Sequence, residues 1–237
     1  MIKNILFDLD GTLIKIFQEK FNEKFYKIIY SRFFKNNYDA ETLSKIMLEG
    51  IKLMVFNDGK VSNEEVLWSN FENKSGIKRE IIFSSMKELY DEDFDTLKDC
   101  IETVEVTGKA INELYEKGYN LILATNPLFP LIAVLKRAGW GNIDCNKFSY
   151  ITSYENSSFS KPNINYYKEI IEKNNLNIEE TMMFGNDTIE DLSIEQLGIP
   201  CYIITNNVVN PQNLDKCTKK GDYNEFYSFI SNLPKIN

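Results

Sequence analysis

Apolar positions along this chain follow two different spacings, and the switch between them divides the sequence. From Ile2 to Phe7 the chain is rich in apolar residues, which predicts a short strand buried on both faces. From Phe17 to about Ile101 the spacing is helical. Phe17, Phe21, Phe25 and Ile28 share one face, as do Leu43, Ile46, Met47, Ile51 and Met54. Ser62 with Glu65 three residues on predicts a capping box at the head of a further helix, and Ile82, Met86 and Leu89 mark another stripe. Asp58-Gly59 and Ser75-Gly76 supply the turns between them.

From Val104 onward, helix and strand alternate. Ala110, Ile111, Leu114 and Tyr115 mark a helix stopping near Gly118, followed by the apolar strand "YNLILAT" from Tyr119 to Thr125. A helix through Leu135 precedes "FSYITSY" from Phe148, and a helix carrying Ile164, Tyr167, Ile170 and Ile171 precedes "TMMFG" from Thr181. A helix from Thr188 to Leu197, the strand "CYIIT" from Cys201 and a closing helix with Phe226, Phe229, Ile230 and Leu233 complete the pattern. Apolar strands separated by amphipathic helices predict a parallel sheet covered on both faces. The fold class is therefore α/β. Residues 1–15 and 104–237 form a parallel-sheet core, and an all-helical cap domain, residues 16–103, is inserted after the first strand.

Composition changes this picture only by exclusion. The 237 residues are 43% hydrophobic and 26% charged, ordinary for a globular protein. A net charge of −8 argues against a broad nucleic-acid footprint or an anionic membrane surface. The chain has no histidine, which rules out an imidazole base or ligand. Cys100, Cys145, Cys201 and Cys217 form no CxxC pair, so zinc is not expected. No signal-peptide pattern precedes the first strand and no apolar run approaches a membrane span, so a reduced, cytoplasmic setting is the expectation.

The candidate chemistry sits where open α/β sheets bind ligands, at the carboxyl ends of strands. Four polar clusters fall there: "DLDGT" after the first strand, "TNP" after the Tyr119 strand, "SKPN" before the Ile164 helix, and "GNDTIED" after the Thr181 strand. A carboxylate can attack phosphorus to give an acyl phosphate that water later cleaves, and Asp8 is the candidate nucleophile. A divalent cation has to shield it from an anionic substrate, and Mg2+ takes carboxylate, phosphate and water oxygens. Asp10, two residues on, can protonate a leaving alkoxide and then accept a proton from water. Gly11 permits a tight turn that Thr12 can hold. Thr125 and Asn126 offer a hydroxyl and a backbone N–H to phosphate oxygens. Lys161, the one cation among these clusters, balances Asp8 and the transferring phosphoryl group. Asn186 or Asp187 reaches the metal, and Asp191 orients water or Lys161 behind it. Both Asn and Asp also suit a helix cap at this position.

In order and spacing, the four clusters resemble the motifs of the haloacid dehalogenase-like superfamily of hydrolases. "DLDGTL" is the most specific of them, and the insertion between the first two clusters looks like that family's helical cap of the first type. The resemblance covers essentially the whole chain. It implies a Rossmann-like core and a Mg2+-dependent phosphomonoester hydrolase acting on a small phosphorylated metabolite, with the backbone carbonyl of Asp10 also on the metal. One slot departs from the commonest family pattern: Asn186 stands directly after the glycine, where aspartate is usual. A phosphomutase shares the chemistry and differs in the acceptor. A 2-haloacid dehalogenase by family pattern lacks the acid at Asp10, and a non-catalytic binding protein would be expected to have lost Asp8, Lys161 or the last acidic cluster. The helical block is expected to close over the site, hinged near Ile14–Phe17 and Glu102–Thr107.

Overall fold

The computed structural model describes residues 1–236; Asn237, the last residue of the expected core segment, lies outside them. Six strands form one parallel sheet: β1 (Asn4–Phe7), β4 (Asn120–Leu123), β5 (Tyr150–Ile151), β6 (Thr181–Gly185), β7 (Cys201–Ile204) and β8 (Lys219–Gly221), in the order β5-β4-β1-β6-β7-β8. β1 lies between β4 and β6, with Phe7 opposite both Leu123 and Phe184. Their carboxyl ends therefore finish at one level.

Alternation along the strands sends side chains to two faces. Ile5 and Phe7 join Leu123, Phe184 and Ile204 against α5 (Glu105–Glu116), α6 (Leu131–Trp140) and α8 (Tyr223–Ser231). Leu6 faces the other way, with Ile122, Met183 and Ile203, against α7 (Ile164–Lys173). The expected α/β core with a doubly covered parallel sheet is the observed one.

Between β1 and β4 come α1 (Gln18–Lys35), α2 (Ala40–Val55), α3 (Asn63–Ser75) and α4 (Arg79–Glu88), then a π-helical turn Leu89–Asp93 and a 3₁₀ segment Phe94–Cys100. Two of these helix starts have a local cause. Asp39 accepts the Thr42 N–H at the head of α2, and Ser62 accepts the Glu65 N–H at the head of α3. The expected reciprocal half of the Ser62 capping box is absent, because the Glu65 carboxylate is taken by Arg79 instead. Gly76, left-handed at φ +68°, ends α3 as the Ser75-Gly76 turn predicts. This block has its own apolar centre, built around Phe21, Phe33, Trp68, Phe71 and Phe94. Arg32, buried within it, pairs with Glu88, Glu92 and Asp93 across the π-helical turn.

Several elements differ from the sequence reading. The expected hinge segments are partly strand: β2 (Ile14–Ile16) and β3 (Ile101–Thr103) pair antiparallel as a two-stranded ribbon where the chain leaves and re-enters the core, and Glu105–Thr107 already belong to α5. α6 runs on to Trp140 rather than stopping at Leu135. The Phe148 segment contributes only the two residues of β5. The expected helix from Thr188 is a turn followed by a 3₁₀ helix, Leu192–Leu197, although Asp187 Oδ1 accepts the Ile189 and Glu190 N–H groups in the manner of a helix cap. β8 carries lysines and no apolar alternation, as suits an exposed edge strand, and so left no periodic signal. Among the described residues no helix is long and apolar enough to cross a membrane.

Candidate active site

Because β1, β4 and β6 end level, the segments that follow them meet. They surround a cavity of about 350 Å3 lined by every expected site residue except Lys161. Lys161 lies beneath it, with no exposed side-chain surface. Its Nζ donates to Asp8 Oδ1 at 2.8 Å and to Asp191 Oδ1 at 2.7 Å. Asp8 is thus tied on one oxygen while 11% of its side chain stays open to the cavity.

This row of three charges explains how the acids can be buried. Burial disfavours the carboxylate and raises the Asp8 pKa, and Lys161 opposes that shift. Asp191 is pushed up to about 6, again first by burial and against the pull of Lys161. Burial works against the Lys161 ammonium too, but the two carboxylates outweigh it and hold its pKa well above the ordinary value. Asp191 is also fixed from behind, since its Oδ2 accepts the N–H groups of Asn186 and Asp187 at 2.9 Å each. The lysine and the loop after β6 therefore share one anchor.

The turn after β1 is equally constrained. Gly11 has φ +86°, and a Cβ there would sit 2.2 Å from Asn186 Nδ2, so a side chain does not fit. The Thr12 hydroxyl, expected to brace its own turn, instead donates to Asn186 Oδ1 at 3.0 Å and joins the first and last clusters. The Asn186 amide donates to the Asn207 carbonyl at 2.7 Å. Asp187 Oδ1 accepts from the N–H groups of Ile189 and Glu190 and from Asn210 Nδ2. On the opposite wall the Thr125 carbonyl is held by the hydroxyls of Tyr166 and Thr152. Asn126 Nδ2 donates to Glu190 Oε2 at 3.1 Å.

Lys161 is not the only cation here, as the sequence reading had it. Arg137, 3% exposed on α6, donates through Nη1 to Asp10 Oδ2, and its guanidinium lies 4.7 Å from the centroid of the Phe129 ring. Among the described residues, the remaining Asp10 oxygen and Arg137 Nε and Nη2, all buried, have no hydrogen-bond partner.

The haloacid dehalogenase-like hydrolase family matches residues 2–198, most of the chain and all four clusters. The chain belongs to this family. No curated protein matches this HAD-like hydrolase by sequence. Among solved structures it is similar to a HAD phosphatase from Thermococcus onnurineus, with TM-score 0.62 at 17% identity, covering 99% of this chain and 100% of that one. It is also similar to a HAD-hydrolase from Bacillus subtilis bound to magnesium, TM-score 0.56 at 18% identity, covering 98% and 99%. The L-2-haloacid dehalogenase of Xanthobacter autotrophicus matches at TM-score 0.54 and 10% identity, covering 98% and 100%. These likenesses establish a shared fold.

HAD-like hydrolases generally use a divalent metal, and the donors in this one can be weighed for it. Asp8, Asp10, Asn186 and Asp187 all line the cavity and carry hard oxygen donors. Among the described residues, no three acidic or thiol side chains converge tightly enough to hold an ion by themselves. Such an oxygen set fits a hard cation that keeps several waters, as Mg2+ does.

Two charged cavity residues of this HAD-like hydrolase escaped the sequence reading. Glu190 is pushed up to about 7, chiefly by burial. Its spacing from Asp187 gave it no distinction among the acids of "GNDTIED". Arg137 left a readable trace, because it falls with Ala133, Val134 and Ala138 on the buried face of α6, where a charge needs a partner.

Proposed function

We propose that this HAD-like hydrolase is a Mg2+-dependent phosphomonoester hydrolase that works through an aspartyl phosphate on a small phosphorylated metabolite. Residues 16–103 act as its helical cap over a core of 1–15 and 104–237. The observation that carries the reading is the Asp8 carboxylate, held on one oxygen by a buried lysine and open on its other side to a polar cavity.

A carboxylate oxygen of Asp8 forms a bond to phosphorus as the ester's P–O bond breaks, and Asp10 gives the leaving alkoxide its proton. Water then attacks the phosphorus of the acyl phosphate, Asp10 accepts the water's proton, and Asp8 and inorganic phosphate are released. Arg137 holds the Asp10 carboxyl at the cavity wall. Thr125 and Asn126 bind the phosphoryl oxygens, and Lys161 draws off negative charge from beneath. Asp8, the Asp10 carbonyl and Asn186 or Asp187 would hold the Mg2+, which neutralises charge on the phosphoryl group when bound.

Asp10 also weighs against dehalogenation. A halide departs without a proton, so dehalogenation has no leaving group for a second acid to protonate. The reading places the enzyme in a reduced, cytoplasmic setting, in keeping with four unpaired cysteines. The test is phosphate release from an aryl phosphate, with Mg2+ and with chelator. The Asp8→Asn variant is expected to lose turnover by at least about 1,000-fold and to keep its fold by circular dichroism. Undiminished Mg2+-dependent hydrolysis by that variant would dismiss Asp8 as nucleophile.

A further inference from the structure

The helical block touches the core at a second place besides the β2–β3 ribbon, and the contact there is polar and buried. Asn63, the first residue of α3, is fully buried. Its N–H donates to the Ser157 carbonyl at 2.8 Å, and the next N–H, of Glu64, donates to the Tyr154 carbonyl at 2.9 Å. The Asn63 amide Nδ2 lies 3.2 Å from the Pro127 carbonyl, 3.2 Å from Ser160 Oγ and 3.4 Å from the Phe159 carbonyl, so its two hydrogens serve three acceptors. Asn57 Nδ2 donates to Asn63 Oδ1 at 2.9 Å and settles which way the amide faces. Ser160 Oγ donates onward to the Met54 carbonyl at 3.1 Å. Gly59, at φ +86°, lies so near the Phe159 ring that a Cβ would meet it at 2.1 Å.

The acceptors on the core side are the immediate neighbours of the phosphate-binding set. Pro127 follows Thr125 and Asn126, and Ser160 precedes Lys161. A fully buried amide has no water to fall back on, so it is satisfied only when both loops stand where they do. We propose that Asn63, although carried by the helical block, is a positioning residue of the active site. It ties the Thr125–Asn126 turn to the Lys161 loop, and the phosphate-binding set is complete only while the α2–α3 loop is seated in the core. This rests on the phosphatase reading above.

The experiment compares wild type, Asn63→Ala and Ser160→Ala, the last removing one acceptor and leaving Asn63 in place. Turnover of an aryl phosphate per folded molecule is measured together with the Kd for inorganic phosphate, by calorimetry in Mg2+. Asn63→Ala is expected to lower kcat by about 10–100-fold and to weaken phosphate binding by about tenfold. Ser160→Ala should move both in the same direction by less. A purely structural asparagine would lower Tm and leave phosphate Kd alone. Values within twofold of wild type for both quantities in folded Asn63→Ala would overturn the proposal, and if that variant does not fold, Ser160→Ala decides by the same readings. Wild type that binds phosphate but releases none from any ester would sink the phosphatase reading alone, since the Kd comparison still judges Asn63. Wild type that does neither would sink both.

Discussion

Lys161 is the residue on which the charge balance of the site turns. Two buried carboxylates face it at 2.8 and 2.7 Å, so the three side chains carry a net charge of −1 when ionised. Replacing it with methionine keeps the volume and removes the ammonium that donates to Asp8 Oδ1 in the cavity floor. Breaking a buried ion pair from one side typically costs 3–5 kcal/mol. Lys161→Met is therefore expected to lower unfolding free energy by roughly that amount in a denaturant titration, besides losing turnover. Asp8→Asn leaves the Lys161–Asp191 pair intact and neutral overall, and should lose turnover without a comparable loss of stability. Equal stability losses in the two variants would contradict the asymmetry described here.

Among the elements, α3 offers a pH-dependent contact far from the cavity. Arg79 Nη2 donates to Glu65 Oε1 at 2.8 Å, and this hydrogen bond is the main reason the Glu65 pKa lies at about 2 against an ordinary value of 4.5. A carboxylate with a depressed pKa in the folded state contributes stability above its unfolded pKa and loses it as pH falls through the folded one. The window therefore runs from about pH 4.5 down to about pH 2. Glu65 is 42% exposed, which keeps the effect near or below about 1 kcal/mol. Glu65→Gln should be less stable than wild type at neutral pH, and the gap in Tm should close as pH drops across that window. A gap that widens toward acid would refute the assignment.

The same scale shows what could be read from the sequence. Strands and helices with strong periodicity, such as β1 and α2, were legible because burial imposes their spacing. The "DLDGT", "SKPN" and "GNDTIED" clusters were legible because strand ends of a parallel sheet have few other uses for grouped acids and a lysine. The ribbon strands β2 and β3 and the edge strand β8 are three residues each and show no period. Arg137 and Glu190 were missed for a different reason. Their roles come from partners far away in sequence, Asp10 and Asn126, which no local pattern displays.

At the scale of the whole molecule, the two parts meet through an aromatic junction as well as through Asn63. Phe129, on the segment between β4 and α6, packs its ring against Phe21 and Phe25 of α1, with centroids 6.0 and 5.1 Å away, and against Phe94 at 6.5 Å. The other neighbour of this ring is the Arg137 guanidinium that holds Asp10. Phe129→Ala should lower stability by less than the roughly 3–5 kcal/mol of a fully buried aromatic, since Phe129 is half-buried. It should also slow turnover of alkyl phosphates, which need a proton on the leaving group, more than that of aryl phosphates with acidic phenols. Equal slowing of both substrate types would show that the junction affects the seating of the helical block without reaching Asp10.

The paired strands β2 and β3 carry a consequence for how such a molecule diversifies. Ile14 stands opposite Thr103 and Ile16 opposite Ile101, so the departing and returning chains run side by side. Everything beyond that pairing begins and ends at one doorway. A foreign module whose two ends lie a strand's width apart could be spliced in there without rerouting the sheet, which would let everything between the ribbon strands be exchanged wholesale while the strand-end clusters stay put.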